Sequence, residues 1–231
     1  MLQAEAEQIL DSTTRKEICE SASNSINRLL DAPHNQLYLY SRRTESLTTI
    51  PSINSPRVDT STSDSTNTVT PHINTTAITQ DDDSVVWDVY DSNDSVLLES
   101  SPEIEQLVSE SCPFTTGIIT PLGPYGVLFI LESGNTTFTD TDIGVSEFLA
   151  EAVTRALDNE RRERGLATVQ AISRDAMTAE THAEMSNEVL NRLPEVLDYP
   201  ICVIWKYNDY EHQLEPIATT EPAQDSHFDT P

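Results

Sequence analysis

The sequence predicts an α+β fold in which an antiparallel sheet is flanked by helices, with long helices entering and leaving it. Three observations predict it. Ile9, Leu10, Ile18, Ala22, Ile26, Leu29 and Leu30 recur mostly at spacings of three and four, the period of a helix that buries one face. The alternating run Thr115–Leu122 meets Gly123-Pro124-Tyr125-Gly126 and resumes as the wholly apolar Val127–Leu131, a hairpin signature. Thr14–Ile50 also aligns with Thr181–Ile217 without a gap, with identities at Thr14/Thr181, Glu17/Glu184, Asn24/Asn191, Leu30/Leu197, Asp31/Asp198, Pro33/Pro200, Tyr40/Tyr207, Leu47/Leu214 and Ile50/Ile217. Two amphipathic helices that resembled each other by chance would not also share the Leu-Asp-x-Pro stop and both strands after it.

In chain order, the first 31 residues read as one helix stopped by Pro33. Leu37–Tyr40 and Leu47–Ile50 are strands joined by the polar turn Ser41–Ser46. Residues 51–79 form a Ser/Thr/Asn/Pro tract with too few apolar anchors to offset its ordering entropy, so a flexible insert is expected, with a short strand near Ile73–Ile78. Asp81, Asp82, Asp83 and Ser84 offer N-cap oxygens to a helix Val85–Tyr90. A strand Val96–Leu98 and a helix Pro102–Val108 precede the central hairpin. Phe138–Asp142 opens another helix, whose buried stripe is Ile143, Phe148, Leu149, Ala152, Val153, Ala156 and Leu157. The stripe fades at Asn159–Gly165, where Gly165 is a candidate break, and resumes at Leu166, Val169 and Ile172. In the second copy Pro194 stands where the first has Asn27, which predicts a kink. The repeat stops just past its first hairpin, and residues 200–231 are expected to be poorly ordered because half a sheet has open edges.

The charge balance sets aside several function classes. Thirteen Lys plus Arg against 39 Asp plus Glu leave a net charge of −26 over 231 residues, and the two lysines are Lys16 and Lys206. No basic patch is available to neutralise phosphates, so neither direct nucleic-acid contact nor attachment to an anionic membrane is expected. Carboxylates in excess with almost no lysine fit a protein of a salt-accumulating halophile, where high salt screens the self-repulsion. Cys19, Cys112 and Cys202 are far apart, form no CxxC pair and follow no secretory signal, which implies a reducing, cytoplasmic setting.

Three stretches carry a resemblance to a known family. DSVVWDVYDSNDSVLLES (Asp83–Ser100), TTGIITPLGPYGVLFILES (Thr115–Ser133) and FTDTDIGVSEFLAEAVTRALDNE (Phe138–Glu160) are similar to the pocket-crossing segment, central hairpin and C-terminal helix of GAF domains, sensory relatives of the PAS fold. "PLG–YGVL" followed by "FTDTDI" resembles haloarchaeal sensor proteins in particular. The resemblance implies a GAF-like sensory domain over 1–160, a helical linker over 161–183, and the N-terminal part of a second, incomplete GAF-like domain over 184–231. Relatives of this type stand upstream of histidine kinases or of bacterio-opsin activator-like helix-turn-helix outputs.

A GAF pocket lies between the sheet and the helices covering one face, so the resemblance places Trp87 and Tyr90 in its cover and Ile118, Thr120 and Phe129 in its floor. Aromatic rings with a few hydroxyls suit a small organic ligand, although the same side chains would equally fill a core. No cofactor is identified. Cys112 is followed by Pro113 with no histidine nearby, unlike bilin-binding relatives, and it lacks the neighbouring cysteine that a GAF-type methionine sulfoxide reductase needs to resolve a sulfenic acid. The Asn-Lys-x-(n)-Phe-x-x-x-Asp-Glu motif of cyclic-nucleotide GAF domains is not present, and the histidines show no metal-ligand spacing. The expected role is non-catalytic signal input, with a homodimer formed through the Asp140–Leu193 helical region. The alternatives are a scaffold or dimerisation module with a filled core, or a fragment of a sensor kinase or transcriptional regulator.

Overall fold

A computed structural model describes residues 1–49, 77–80, 84–99, 104, 114–133, 137–177, 179, 181–197 and 201–220. The chain divides into two compact units that meet in sequence at Glu160 and Arg161.

The first unit is built on a six-stranded antiparallel sheet in the order β3-β2-β1-β6-β5-β4. Its strands are β1 (His34–Ser41), β2 (Ser46–Thr49), β3 (Ile78–Thr79), β4 (Val96–Leu98), β5 (Phe114–Pro121) and β6 (Gly126–Ser133). Helices α1 (Leu2–Leu10) and α2 (Arg15–Leu30) precede the sheet, α3 (Val85–Ser92) lies between β3 and β4, and α4 (Asp140–Ala176) follows β6. Successive strand side chains face opposite ways, so the sheet separates two cores. Leu37, Leu39, Ile118, Leu128 and Ile130 pack with Ile9, Ile18, Ala22, Ile26, Leu149, Val153 and Leu157 of α1, α2 and α4. Tyr38, Leu47, Ile119, Val127, Phe129 and Leu131 pack on the other face with Val86, Trp87 and Val89 of α3.

The first 31 residues are two helices rather than the single one expected. Thr14 is extended, its hydroxyl accepts from the Glu17 amide, and the Glu17 carboxylate accepts from the Thr14 amide: a capping box that starts a new helix. The signature Thr-x-x-Glu is present in the sequence, but the continuous apolar spacing masks it. Glu5 then joins the two helices, accepting from the buried Ser25 hydroxyl at 2.8 Å and from Arg28 at 3.1 Å. Strand pairings at Leu37–Tyr40 and Leu47–Thr49, the strand at Ile78, helix α3 and β4 follow the sequence reading closely. The insert over 51–76 and the helix read at Pro102–Val108 lie outside the described residues, apart from Ile104, which is helical and fully buried.

Gly165 does not break the exit helix, and α4 runs unbroken from Asp140 to Ala176. Glycine weakens a helix by about 1 kcal/mol relative to alanine but keeps its N–H and reaches helical dihedrals without strain, so it does not stop a helix as proline does. The apolar stripe changes character along α4: Leu149, Val153 and Leu157 are fully buried, whereas Leu166 and Val169 are 65% and 55% exposed.

The second unit carries α5 (His182–Leu197), β7 (Val203–Asn208) and β8 (Gln213–Thr219). The helical backbone of α5 continues past Pro194 to Leu197. Of residues 200–231, expected to be poorly ordered, 221–231 lie outside the described residues, whereas β7 and β8 pair with Trp205 opposite Pro216 and Tyr207 opposite Leu214. Local geometry repeats with the sequence. Thr181 caps the Glu184 amide as Thr14 caps Glu17. The two hairpin turns have equal length, and each holds a non-glycine residue in the left-handed region at the same place, Glu45 at φ 47° and His212 at φ 55°.

Two predictions follow from local geometry. Gly126 has φ 140°, and a Cβ there would overlap the Tyr38 carbonyl oxygen. Gly126→Ala should therefore cost on the order of 3 kcal/mol in denaturant unfolding. Glu17 titrates below its ordinary value of 4.5, held down chiefly by the Thr13 amide, then by the Thr13 hydroxyl and the Thr14 amide. A depressed native pKa means stability that is present above the ordinary value and lost as pH falls through the native one. The Glu17 carboxyl should show an NMR midpoint below 4.5, and the stability difference between wild type and Glu17→Gln should shrink on acidification through it.

Candidate functional site

The five sequence-predicted site residues do not share one pocket. Strand alternation places Phe129 on the α3 side with Trp87 and Tyr90, and Ile118 on the opposite side, against Leu128, Ile130 and the α2 and α4 helices. Thr120 also turns away from α3, and its hydroxyl pairs with that of Ser146 on α4 at 2.8 Å. It borders an outer cleft of about 350 Å³ shared with Asp94, Glu147 and Glu151. Ile118 and Thr120 are thus core and helix-docking residues. Ile119, the neighbour between them, is the β5 residue that faces Phe129.

What the structure brings together on the α3 face is an aromatic cluster. The Ser84 hydroxyl accepts from the Val86 amide and starts α3, and Asn93 in the left-handed conformation ends it. Between these caps, Trp87 and Tyr90 sit three residues apart on one helix face, with ring centroids 5.5 Å from each other. Tyr40 of β1 completes the group, 6.0 Å from Trp87 and 5.1 Å from Tyr90. Below it lie Tyr38 and Phe129, 2% and 1% exposed. Burial pushes the Tyr38 phenol well above its ordinary pKa, so it is neutral at physiological pH. Tyr38 and Tyr40 share this face because they are two apart on one strand, a signal that the sequence contains but that the read-out of the hairpin alone does not single out.

One polar atom in this cluster lacks a partner. Trp87 is 7% exposed, and its indole Nε1–H is buried without a hydrogen-bond acceptor. A buried donor without a partner costs about 1–3 kcal/mol, so such groups are uncommon unless something else supplies the acceptor.

Cys19 does not lie on this face. Cys19 is buried on α2 against the other core, where desolvation pushes its thiol up to about 11, opposed by the nearby Arg15 charge. Cys202 belongs to the second unit, and Cys112 lies outside the described residues. Among the described residues no helix is long and apolar enough to cross a membrane.

No family model matches the chain, and no curated protein matches it. Solved structures do. The GAF domain of an Acinetobacter phosphoenolpyruvate-protein phosphotransferase is 13% identical, covers 68% of this chain and 90% of its own, and superposes with a TM-score of 0.53. Free methionine-R-sulfoxide reductase from Neisseria meningitidis is 15% identical over 70% of this chain and 89% of its own, with a TM-score of 0.55. The phycocyanobilin-bound GAF domain of a cyanobacterial phytochrome is 12% identical over 70% and 94%, with a TM-score of 0.51. At such identities the likeness is one of fold. The curled six-stranded antiparallel sheet, with α1, α2 and α4 on one face and α3 on the other, is an α+β GAF fold.

Proposed function

We propose that this chain is a non-catalytic sensory input module that binds a small, planar, acceptor-bearing molecule at the Trp87–Tyr90–Tyr40 face. The observation that carries the reading is the unpartnered indole N–H of Trp87, set among rings that offer stacking surfaces. A ligand acceptor placed there would satisfy the donor. The non-catalytic part of the reading is supported by Cys19, whose raised pKa keeps it a thiol, the unreactive form, at neutral pH.

The signal would leave through α4. In this reading, two chains pair along the Asp140–Leu193 helical region, where Leu166 and Val169 offer exposed apolar positions. The repeat marks the start of a second GAF-like domain over 184–231, and a kinase or helix-turn-helix output of the haloarchaeal kind would lie downstream. A reducing cytoplasm at high potassium fits the cysteines and the −26 charge. A second reading, a scaffold with a filled core, is favoured by the near-complete burial of Tyr38 and Phe129.

A thermal-shift screen of neutral heteroaromatic compounds separates the two. Sensing predicts a compound that raises Tm by roughly 5 °C near saturation, with about fivefold weaker binding to Trp87→Phe. A compound that binds Trp87→Phe as tightly as wild type would remove the indole from the reading, and a screen without any such compound favours the scaffold. Alkylation provides a further check on the cysteine chemistry. Cys19 should stay unmodified by iodoacetamide at pH 8 in the native protein and react once the chain is unfolded.

A further inference from the structure

The aromatic face and the exit helix are on opposite sides of the sheet, and one turn touches both. The Tyr90 hydroxyl on α3 donates to the carbonyl of Pro124 at 3.5 Å, the long limit of a hydrogen bond. The next residue, Tyr125, packs toward the opposite core, and its hydroxyl donates to Asp158 Oδ1 on α4 at 2.6 Å. That second bond is short and charge-assisted, so it is the stronger of the two. The Pro124 carbonyl and the Tyr125 amide belong to one peptide plane.

The turn around that plane has little other freedom. The Leu122 amide donates to the Gly126 carbonyl at 2.8 Å, and the Tyr125 amide donates to the Leu122 carbonyl at 3.2 Å. Gly126 lies directly against the Tyr38 backbone, so the turn cannot slide toward β1. Proline fixes its own φ, and the hydrogen bond from the Tyr125 amide to Leu122 ties this same peptide plane to the rest of the turn, so the plane and the turn move as one piece. A change in where Tyr90 sits therefore acts on the plane from which the Tyr125 side chain departs. Asp158, at the far end, is two residues before the end of the first unit on a helix that continues to Ala176.

We propose that the Gly123–Tyr125 turn is a relay that couples the position of Tyr90 to the packing of α4 around Asp158, with Tyr125 as the positioning residue. Its meaning as regulation rests on the sensory reading above, but its operation does not require the ligand. The bond Tyr90–Pro124 is the weak, adjustable end, and the bond Tyr125–Asp158 is the firm end that follows the turn.

The test uses the full, ligand-free chain and hydrogen exchange of α4 amides around Asp158 as the readout. Tyr90→Phe removes one hydroxyl from the α3 face and should change exchange there roughly threefold. In a Tyr125→Phe background, the same Tyr90→Phe change should leave α4 exchange unaltered. Asp158→Ala cuts the relay from the other side and should insulate α4 in the same way, so the result does not depend on one variant's folding. No response of α4 to Tyr90→Phe, or an equal response with and without the Tyr125 hydroxyl, overturns the relay. Because no ligand is added, failure here leaves the ligand reading standing, and failure of the compound screen leaves the relay standing.

Discussion

Strand β6 occupies the middle of the sheet, and its register constrains nearly everything else. It pairs with β1 from His34–Leu131 to Leu39–Gly126 and with β5 from Pro121–Val127 to Phe114–Ser133, with a shift in register between Phe114 and Thr116. Its first residue, Gly126, approaches the Tyr38 backbone so closely that no side chain fits. That contact fixes one end of the strand, and the rest follows by alternation. Val127, Phe129 and Leu131 go to the α3 core, and Leu128 and Ile130 go to the helical core. A slip of one residue would exchange both sets and put every partner on the wrong side.

The two faces made by this register differ in chemistry. The helical face is filled by aliphatic side chains from α1, α2 and α4, with polar pairs such as Thr120 with Ser146 and Glu5 with Ser25 among them. The α3 face instead collects the aromatic rings and the one indole donor left without an acceptor. A buried donor left without an acceptor has interaction capacity in reserve. The turn at Gly123–Tyr125 lies at the end of the sheet, where a single peptide can reach both.

Two of the chain's arginines stand where carboxylates lose water. Arg28 meets Glu5 and Arg15 approaches Glu160, and both of these carboxylates are about nine-tenths buried. Each pair joins two helices, α1 to α2 and α2 to α4. Exposed carboxylates, by contrast, need no partner in water and gain screening from salt.

Much of the fold is legible in the amino-acid sequence because its signals are local. Spacing of three and four announces the helices, Gly-Pro-Tyr-Gly the central hairpin, and the repeated Leu-Asp-x-Pro the end of each helix before its strands. Even the errors are local. The capping box of Thr14 and Glu17 outweighs a continuous apolar stripe, and Gly165 is too mild a perturbation to end a helix. The sequence by itself thus determined the α+β class, the order of most elements and the aromatic pair on α3. It could not decide which of Ile118, Ile119 and Thr120 would face Trp87, because parity along β5 has meaning only once β6 has fixed the register and the helices have chosen a side. Nor could it show that Tyr125 reaches Asp158 or that the Trp87 donor stands alone. Those facts depend on distances between residues far apart in the chain, which only tertiary packing sets.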